Sequence, residues 1–597
     1  MSTAILTGLP VPGSQLGPEL GSLGFDVRSA QRPEDVAALL AEVPAGERVA
    51  LVDPRFVGHL HSLRLALTDP RFPAASVPGA LTVKAEARPA LDRALAGVPA
   101  PAAHVCTASV LADDIAAALE AQDVAVHHPE LGSLVATVPA DEAAAAAASR
   151  AVAAVDDEAV RLRNAVKSRD GFFTTHFISP YSRYLARWCA RRGLTPNQVT
   201  TASLITALIA AGCAATGTRG GYVAAGVLLI LSFVLDCTDG QLARYSLQYS
   251  TMGAWLDATF DRAKEYAYYA GLALGAARGG DDVWALALGA MVLQTCRHVV
   301  DFSFNEANHD ATANTSPTAA LSDKLDSVGW TVWVRRMIVL PIGERWAMIA
   351  VLTAVTTPRI VFYALLIGCA FAACYTTAGR VLRSLTRRAT RTDRAAQALA
   401  DLADSGPLAQ LVAAKAPRVP GAPVVAAVGT TALIATALTQ PVGSRQMIVA
   451  AVFYAVLSGI AVGRPLKGAL DWLVPPLFRV AEYCTVLILA ARSDVNGALP
   501  AAFGLVAAVA YHHYDTVYRI KGGSGAPPSW LVRLIGGHDG RTLVVTVLAA
   551  VLATRGTDFT LALTALAAAI ALVVLVESIR FWVSSGAPAV HDEGETA

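Results

Sequence analysis

Short apolar runs separated by polar segments fill the first 150 residues, whereas long apolar runs dominate from about residue 195 onwards. In the first part, runs such as RVALVDPRF alternate with helical stretches such as PEDVAALLAEV. Strands alternating with helices predict an α/β domain with a mostly parallel sheet over residues 1–150. None of these runs is long enough to cross a bilayer, so we expect a soluble domain.

The next segment, residues 151–192, is predicted to be a linker that ends in an amphipathic helix. Its second part, GFFTTHFISPYSRYLARWCARR at 171–192, interleaves aromatic residues with arginines. Such a pattern favours a helix in the membrane interface, with the rings buried and the cations facing lipid phosphates. A solvated basic linker is the alternative interpretation.

Long apolar stretches predict two groups of six membrane-spanning helices. Each stretch is long enough, or nearly so, for a hydrocarbon core of about 30 Å. The first domain, 193–385, contains spans near 198–217, 221–243, 253–277, 282–304, 342–356 and 359–382. The second domain, 424–585, contains spans near 424–440, 446–463, 472–492, 497–515, 541–554 and 558–582. A basic, Ala-rich linker at 386–423 joins the two.

Composition supports a polytopic membrane protein. The chain is 54% hydrophobic and 16% charged, whereas soluble domains are about a quarter charged. The formal net charge of +1 gives no reason to expect nucleic acid as a partner. The eight cysteines include no CxxC pair, which argues against a zinc site and a disulfide framework. The first residues lack the pattern of a cleavable signal peptide.

The distribution of basic residues predicts the orientation. Arginine and lysine crowd the segments 161–192, 380–394, 464–479 and 519–541, whereas the intervening short loops carry few. By the positive-inside rule, both ends of each helical group face the cytoplasm. We therefore expect the N-terminal domain and any site at these span ends to be cytoplasmic.

Four acids stand out in the segment 236–261, DCTDGQLARYSLQYSTMGAWLDATFD. Inside a span, each unpaired charge costs at least ~2.5 kcal/mol. Asp236 and Asp239 are three residues apart and share a helix face, as do Asp257 and Asp261, which are four apart. A tight turn between antiparallel spans would bring the two pairs together. Capping of helix ends, or pairing with nearby arginines, is the structural alternative.

The residue types at this segment suit a pyrophosphate bound through metal ions. Carboxylates without Cys or His are the ligand set for Mg²⁺ or Mn²⁺. Gly240 and Gly253 let a ligand approach the backbone closely. Arg244 offers a planar fork that matches phosphate oxygens.

The spacing Asp-x2-Asp-Gly-x2-Ala-Arg-x8-Gly-x3-Asp-x3-Asp in this segment resembles the signature of the CDP-alcohol phosphotransferase (CDP-alcohol phosphatidyltransferase) family. The resemblance extends over about residues 165–385 and implies six spans. It also implies a reaction, in which an acceptor hydroxyl attacks the β-phosphorus of a CDP-alcohol and CMP is released. The implied partners are the CDP-alcohol donor, an acceptor hydroxyl on a lipid or polyol phosphate, membrane lipids and a second copy of the chain.

The resemblance also implies roles for individual residues. Asp236, Asp239 and Asp257 would hold two Mg²⁺ or Mn²⁺ ions, and Asp261 would complete the second site and accept the hydroxyl proton. Nucleotide contacts are implied for Gly240, Arg244 and Asn197. Arg297, Arg335 and Arg336 lie at cytoplasmic span ends and are candidates for holding an acceptor phosphate, with membrane anchoring as the other explanation.

The flanking regions leave alternatives open. The lead-in KSRDG resembles fused family members that carry an N-terminal cytidylyltransferase, but AILTGLPVPGSQLG lacks the Gly-rich loop with Arg and Lys that holds a triphosphate. Residues 1–150 are thus either a degenerate nucleotidyltransferase-like domain or an unrelated α/β module. We expect no catalysis there.

The two helical groups share a weak similarity, which predicts a degenerate internal repeat. DRAKEYAYYAGLALGAAR in the first group corresponds to FRVAEYCTVLILAAR in the second, so Arg262 would match Arg479 and Glu265 would match Glu482. Chance similarity between apolar helices is the alternative. A rival function is a transporter or scaffold with a relic motif, because twelve spans with a repeat are typical of transporters.

The histidines of the second group, in YHHYD at 511–515 and at His538, could suggest a metal site. Adjacent histidines point to different helix faces, so we interpret them as polar anchors at the membrane interface.

Overall fold

The computed structural model describes residues 2–32, 35–97, 110–167, 170–315, 337–386, 388–417 and 419–584. The chain separates into two compact units. The first unit comprises Met1–Ser168, Tyr181–Pro196 and Thr238–Ser250. The second comprises Arg169–Pro180, Asn197–Cys237 and Thr251–Ala597.

The first unit is built on a six-stranded mixed sheet of strand order β2-β1-β3-β6-β5-β7. Its strands and the short pair β4 and β8 are β1 (Ser2–Leu6), β2 (Phe25–Ser29), β3 (Arg48–Val52), β4 (Val57–Gly58), β5 (Ala74–Val77), β6 (Ala80–Val83), β7 (Val126–His127) and β8 (Ala136–Thr137). Strand β6 is antiparallel to both of its neighbours, and the other pairs in this sheet are parallel. Three of the five pairs in this sheet are parallel, in agreement with the mostly parallel sheet expected from the sequence. Strand β6 runs antiparallel to β5 because Pro78 and Gly79 (φ 85°) close a two-residue hairpin between them.

Helices cover both faces of this sheet, and the alternation of side chains along each strand explains why. On one face, Ile5 and Leu51 pack with Ile115; on the other, Leu6 and Val52 pack with Leu63. The helices are α1 (Leu16–Ser22), α2 (Val36–Ala41), α3 (Leu60–Leu67), α4 (Arg88–Gly97), α5 (Leu111–Glu120), α6 (Glu142–Ala153) and α7 (Asp157–Asn164).

Helix α8 (Ser179–Arg191) follows a π-helical turn at Thr174–Ile178. It exposes large aromatic side chains, among them Tyr181 and Trp188, and an arginine lies against the ring of Trp188. Exposed rings beside cations fit the interfacial helix expected from the sequence, and that role stays a prediction.

The second unit is helical. In chain order the remaining elements are α9 (Pro196–Ala215), α10 (Arg219–Ser246), α11 (Thr251–Arg278), α12 (Trp284–Asn308), β9 (Thr312–Thr315), α13 (Ile342–Val355), α14 (Pro358–Thr386), β10 (Arg388–Thr390), α15 (Asp393–Ala403), α16 (Pro407–Lys415), α17 (Ala422–Thr439), α18 (Arg445–Val462), α19 (Val474–Arg492), α20 (Ala498–Lys521), α21 (Ser529–Ile535), α22 (Gly537–Leu552) and α23 (Asp558–Ser584). Each predicted span coincides with one helix. Among the described residues, eight helices are long and apolar enough to cross a membrane, so the protein is a multi-pass membrane protein.

The four predicted spans outside that group of eight are α11, α12, α13 and α20. Helix α13 has 14 residues, too few for a full crossing. The other three carry ionisable residues within the span, for example Asp261, Arg297 and Asp515. Charged residues inside a helical bundle face its interior and mark functional or structural sites.

The region between the two helical groups is structured, contrary to the linker expected at 386–423. Strand β10 pairs antiparallel with β9, and α15 and α16 follow. Helix α15 buries Ala395, Leu399 and Leu402 on one face. The linker prediction rests on the basic composition of this segment and does not take the helical spacing of its apolar residues into account.

The two helical groups pack directly on each other within the second unit. Helix α12 packs against α15, α19 and α20, and α11 packs against α20 and α23. A ring contact between Trp284 of α12 and Phe503 of α20 (5.7 Å between centroids) lies in this interface. The groups therefore share one buried core.

An Arg–Glu–Arg triad recurs at corresponding places in the two groups. In the first, Glu265 pairs with Arg262 (3.0 Å) on α11 and with Arg345 (3.1 Å) at the start of α13. In the second, Glu482 pairs with Arg479 (2.7 Å) on α19 and with Arg541 (2.6 Å) at the start of α22. Shared contacts of this kind support the proposed internal repeat.

A further parallel lies at the helix ends. Arg278, the last residue of α11, donates to the carbonyl of Ala215 at the end of α9. Arg492, the last residue of α19, donates to the carbonyl of Ala437 near the end of α17. In both groups the arginine donates a hydrogen bond to a carbonyl near a helix end, where the helix itself supplies no donor.

We predict that Glu482→Leu lowers the free energy of unfolding by about 3–5 kcal/mol, because it removes the shared partner of two completely or nearly completely buried arginines. Denaturant titration in mixed micelles measures this. Asp558→Asn, a change at the exposed start of α23, is the control and should leave stability nearly unchanged. Equal losses in the two variants would contradict the structural role of the triad.

Candidate active site

Three carboxylates converge where α10 and α11 meet. Asp236 of α10 and Asp257 and Asp261 of α11 each offer an oxygen, and these oxygens lie within 4.8 Å of one another. Asp257 is exposed, whereas Asp236 and Asp261 are half-buried. Like charges this close need a cation, and an all-carboxylate donor set suits a hard divalent ion. These three residues fit the metal site that the sequence predicts.

The turn between the two helices sets the spacing within the motif. Helix α10 ends before Leu247, whose φ of 52° is left-handed, and the amide of Gln248 donates to the carbonyl of Ala243 (3.0 Å). This bond closes the helix end in the manner of a Schellman cap. Helix α11 then begins at Thr251, six residues before Asp257.

A lysine that the sequence interpretation missed lies among the acids. The ammonium of Lys264 donates to Asp236, to Asp261 (2.8 Å) and to the hydroxyl of Ser203 (3.2 Å). It is completely buried and lies 5.5 Å from the ring centroid of Trp346. The signal was a lysine inside a span, three residues after Asp261 and therefore on the same face.

Three other motif residues, Asp239, Gly240 and Arg244, belong to the first unit. Asp239 follows Asp236 by one helical turn and is buried at 4% exposure. Gly240 lies beside the guanidinium of Arg244. A Cβ added at Gly240 would lie about 3.5 Å from the guanidinium nitrogens. The Nε of Arg244 donates to the carbonyl of Ala165 (2.6 Å). The four-acid assembly with Asp239 stays a prediction.

Helix α7 contacts the end of α10 at Tyr245, the residue directly after Arg244. Arg161 stacks on the ring of Tyr245 (3.5 Å to the centroid), and its Nε donates to the Tyr245 carbonyl (2.7 Å). The hydroxyl of Tyr245 donates to Glu158 (2.8 Å). Burial and the neighbouring Arg64 lower the pKa of Arg161 to about 10, so the guanidinium is charged at neutral pH.

Four predicted site residues remain: Asn197, Arg297, Arg335 and Arg336. Arg297 is buried on α12, and its Nη2 donates to the carbonyl of Val339, ahead of α13. Asn197 is half-buried in the first turn of α9, where its carbonyl accepts from Thr201 (2.8 Å). Arg335 and Arg336 lie outside the described residues. Roles in nucleotide or acceptor binding stay predictions for all four.

The second helical group has apolar residues where the repeat would place the metal acids. Phe478 directly precedes Arg479, as Asp261 precedes Arg262, and Val474 stands where Asp257 would. Both are completely buried, and the Phe478 ring stacks on His538 (4.2 Å).

The interpretation of the histidines as interfacial anchors is wrong. His512, His513 and His538 are at most 2% exposed. His512 hydrogen-bonds Asp404 (3.3 Å), and His538 hydrogen-bonds Tyr454 (2.7 Å). The prediction failed because α20 is surrounded by protein, so that even its polar residues face neighbouring helices.

Comparisons with known proteins agree with this site. Residues 193–374 match the sequence model of the CDP-alcohol phosphatidyltransferase family, and residues 393–597 match that of a Family of unknown function (DUF5941). The helical domain that carries the three carboxylates therefore belongs to the CDP-alcohol phosphotransferase family, a family of polytopic membrane enzymes.

Several relatives are similar over part of the chain. A phosphatidylinositol phosphate synthase of Streptomyces avermitilis is 34% identical over 130 residues, 21% of this chain and 51% of the relative. An archaetidylinositol phosphate synthase of Pyrococcus horikoshii is 29% identical over 113 residues, 19% of this chain and 58% of the relative. A bifunctional IPC transferase and DIPP synthase of Thermococcus kodakarensis is 34% identical over 113 residues, 19% of this chain and 25% of the relative. The match thus spans about half the length of the first two relatives.

We predict that Lys264→Met strengthens binding of Mn²⁺ by about tenfold, or about 1.4 kcal/mol, because it removes a cation that competes for Asp236 and Asp261. The metal-free variant should also unfold at a lower temperature and regain more stability on adding Mn²⁺ than the wild type does. Calorimetric titration and thermal unfolding measure these effects. Lys264→Arg, which keeps the charge, is the control, and weaker Mn²⁺ binding in Lys264→Met would count against competition.

Proposed function

We propose that the chain transfers a phosphoryl-alcohol group, phosphatidyl or polyol-phosphate, from a CDP-alcohol to an acceptor hydroxyl and releases CMP. The observation that carries this proposal is the convergence of Asp236, Asp257 and Asp261 within the eight-position family motif. A relic motif in a transporter or scaffold fits less well, because drift would not spare acids that are costly inside a membrane.

Two Mg²⁺ or Mn²⁺ ions are proposed to bind at Asp236, Asp239, Asp257 and Asp261. Bound ions would neutralise the pyrophosphate and stabilise charge on the leaving oxygen of CMP. Lys264 pairs with the carboxylates of Asp236 and Asp261, for which it would compete with a bound ion, and Asp257 is exposed.

The transfer itself needs one proton acceptor on the protein. As the acceptor oxygen bonds to the β-phosphorus, the bond from that phosphorus to the CMP oxygen breaks, and the hydroxyl proton passes to the carboxylate of Asp261. A carboxylate suffices as a general base when it lies within hydrogen-bond reach of the hydroxyl. Gly240, Arg244 and Asn197 are proposed to contact the CDP moiety, with Gly240 leaving space beside the Arg244 guanidinium.

The acceptor is proposed to be an inositol phosphate. The names of the Streptomyces and Pyrococcus relatives describe synthesis of phosphatidylinositol phosphate and archaetidylinositol phosphate, respectively. A phosphorylated acceptor requires cations, and Arg297, Arg335 and Arg336 are the proposed candidates. We further propose that the site and the N-terminal domain face the cytoplasm and that the N-terminal domain transfers no nucleotide. Assembly into a homodimer stays a prediction.

The proposal is tested with purified protein in mixed micelles. CDP-diacylglycerol and radiolabelled inositol phosphate are supplied with Mg²⁺, and CMP and the lipid product are measured together. A parallel arm supplies CDP-inositol with a lipid hydroxyl acceptor. We expect product in the first arm, its loss with EDTA and its return with Mg²⁺ or Mn²⁺. Product in the second arm alone would support the transfer but contradict inositol phosphate as the acceptor. Full turnover in metal-free buffer, or no CMP release in either arm, would refute the proposal.

Distinct roles are predicted for the acids. Asp261→Asn removes the basic lone pair and should lower the single-turnover rate roughly 10²–10⁴-fold while CDP-alcohol still binds. Asp236→Asn should weaken CDP-alcohol binding itself, because it removes a ligand of the ion that contacts the pyrophosphate. Affinity and single-turnover rate are measured on the same preparations. Wild-type turnover in Asp261→Asn would exclude it as the base.

A further inference from the structure

A rigid polar network at the end of the C-terminal half holds one indole ring in place. The Oδ1 of Asp515 accepts hydrogen bonds from Trp582 Nε1 (2.7 Å) and from the hydroxyl of Ser578 (2.7 Å). The Oδ2 of the same carboxylate pairs with Arg519 (2.8 Å). All four residues are at most 4% exposed. A buried, connected network fixes side chains because any displacement leaves a charge or a donor unpaired.

The fixed indole contacts the helix that carries the metal acids. The ring of Trp582 stacks on that of Trp255, with centroids 6.0 Å apart and 21° between the planes. Trp255 is 6% exposed and precedes Asp257 by two residues on α11. The contact therefore lies within one helical turn of an acid of the cluster.

A second contact from the same half reaches α11 on the other side of the acids. The guanidinium of Arg262, which directly follows Asp261, lies 5.6 Å from the ring centroid of Tyr514. The Tyr514 hydroxyl hydrogen-bonds Nδ1 of His298 on α12. Tyr514 is 4% exposed, so this ring is enclosed by both helical groups.

We infer that Trp582 and Tyr514 are positioning residues, through which the C-terminal half fixes α11 so that Asp257 and Asp261 face Asp236. The two contacts bracket the acids along α11, one before Asp257 and one after Asp261. A helix held at both places cannot rotate or slide without breaking an aromatic contact. This gives a definite task to the half that matches a family of unknown function, in which no cluster of metal-binding acids is found among the described residues.

The expected effect is on the geometry of the site rather than on its chemistry. Partners that orient metal ligands typically change metal affinity 10–100-fold when they are removed. We therefore expect Trp582→Ala to weaken Mn²⁺ binding about 10–100-fold. Hydrogen exchange in the first half of α11 should also become faster, whereas α9 and α14 should be unaffected.

The experiment compares Trp582→Ala, Trp255→Ala and the double variant in the full chain, in detergent, well below their unfolding temperatures. Because the two rings contact each other, the double variant should lose no more Mn²⁺ affinity than either single variant. Trp255→Phe keeps a ring against Trp582 and leaves the hydrogen bond of Trp582 to Asp515 intact, so it should retain most of the affinity. Trp530→Ala is the control, since Trp530 lies in the same half but is 52% exposed.

Tyr514 is tested in the same way. Tyr514→Phe keeps the ring against Arg262 and should change Mn²⁺ affinity little, whereas Tyr514→Ala removes the ring and should weaken Mn²⁺ binding. Equal effects of the two substitutions would assign the role to the hydroxyl instead and overturn the positioning by the ring.

A purely structural role predicts a different result. Trp582→Ala would then lower the unfolding temperature while exchange in α11 and Mn²⁺ affinity stayed at wild-type values, and the inference would be wrong. The inference rests on the proposed function only through its metal. If the wild-type protein binds no Mn²⁺, the proposed function fails, and hydrogen exchange of α11 still decides whether Trp582 positions this helix.

Discussion

Negative charge inside a helical membrane bundle must be matched by positive charge close by, and this constraint organises the second unit. Glu265 pairs with two arginines from different helices, and so does Glu482. Lys264 pairs with acids of two helices. Each pair fixes the rotation of its helices, because a small rotation would leave a charge unpaired in a medium of low dielectric constant.

The same balance distinguishes the two halves chemically. In the second half, Glu482 and Asp404 face Arg479 and Arg541, so two negative charges meet two positive ones and no ion is required. At the motif, Asp236 and Asp261 share the ammonium of Lys264, and Asp257 belongs to the same cluster of carboxylates. Carboxylates this close to one another repel, which is a reason for a divalent cation to bind there.

Sequence patterns predicted the features that depend on local spacing. The helix at each span and the convergence of Asp236, Asp257 and Asp261 follow from periodicity and a short turn. Features that depend on helix rotation could not be predicted. The burial of the histidines on α20 is one example, and the stacking of Trp255 on Trp582 is another, because no local pattern relates residues that lie so far apart in the chain.

The charged triad of the second half has a use even where the described residues form no metal cluster. If Glu482 and its two arginines hold α19 and α22 in place, they also keep α20 and α23 in the positions from which Tyr514 and Trp582 reach α11. If the proposed repeat is correct, Val474 and Phe478 stand uncharged at the places of Asp257 and Asp261. Under this proposal the second half is held by paired charges, while the first half keeps the carboxylates that the proposed transfer requires.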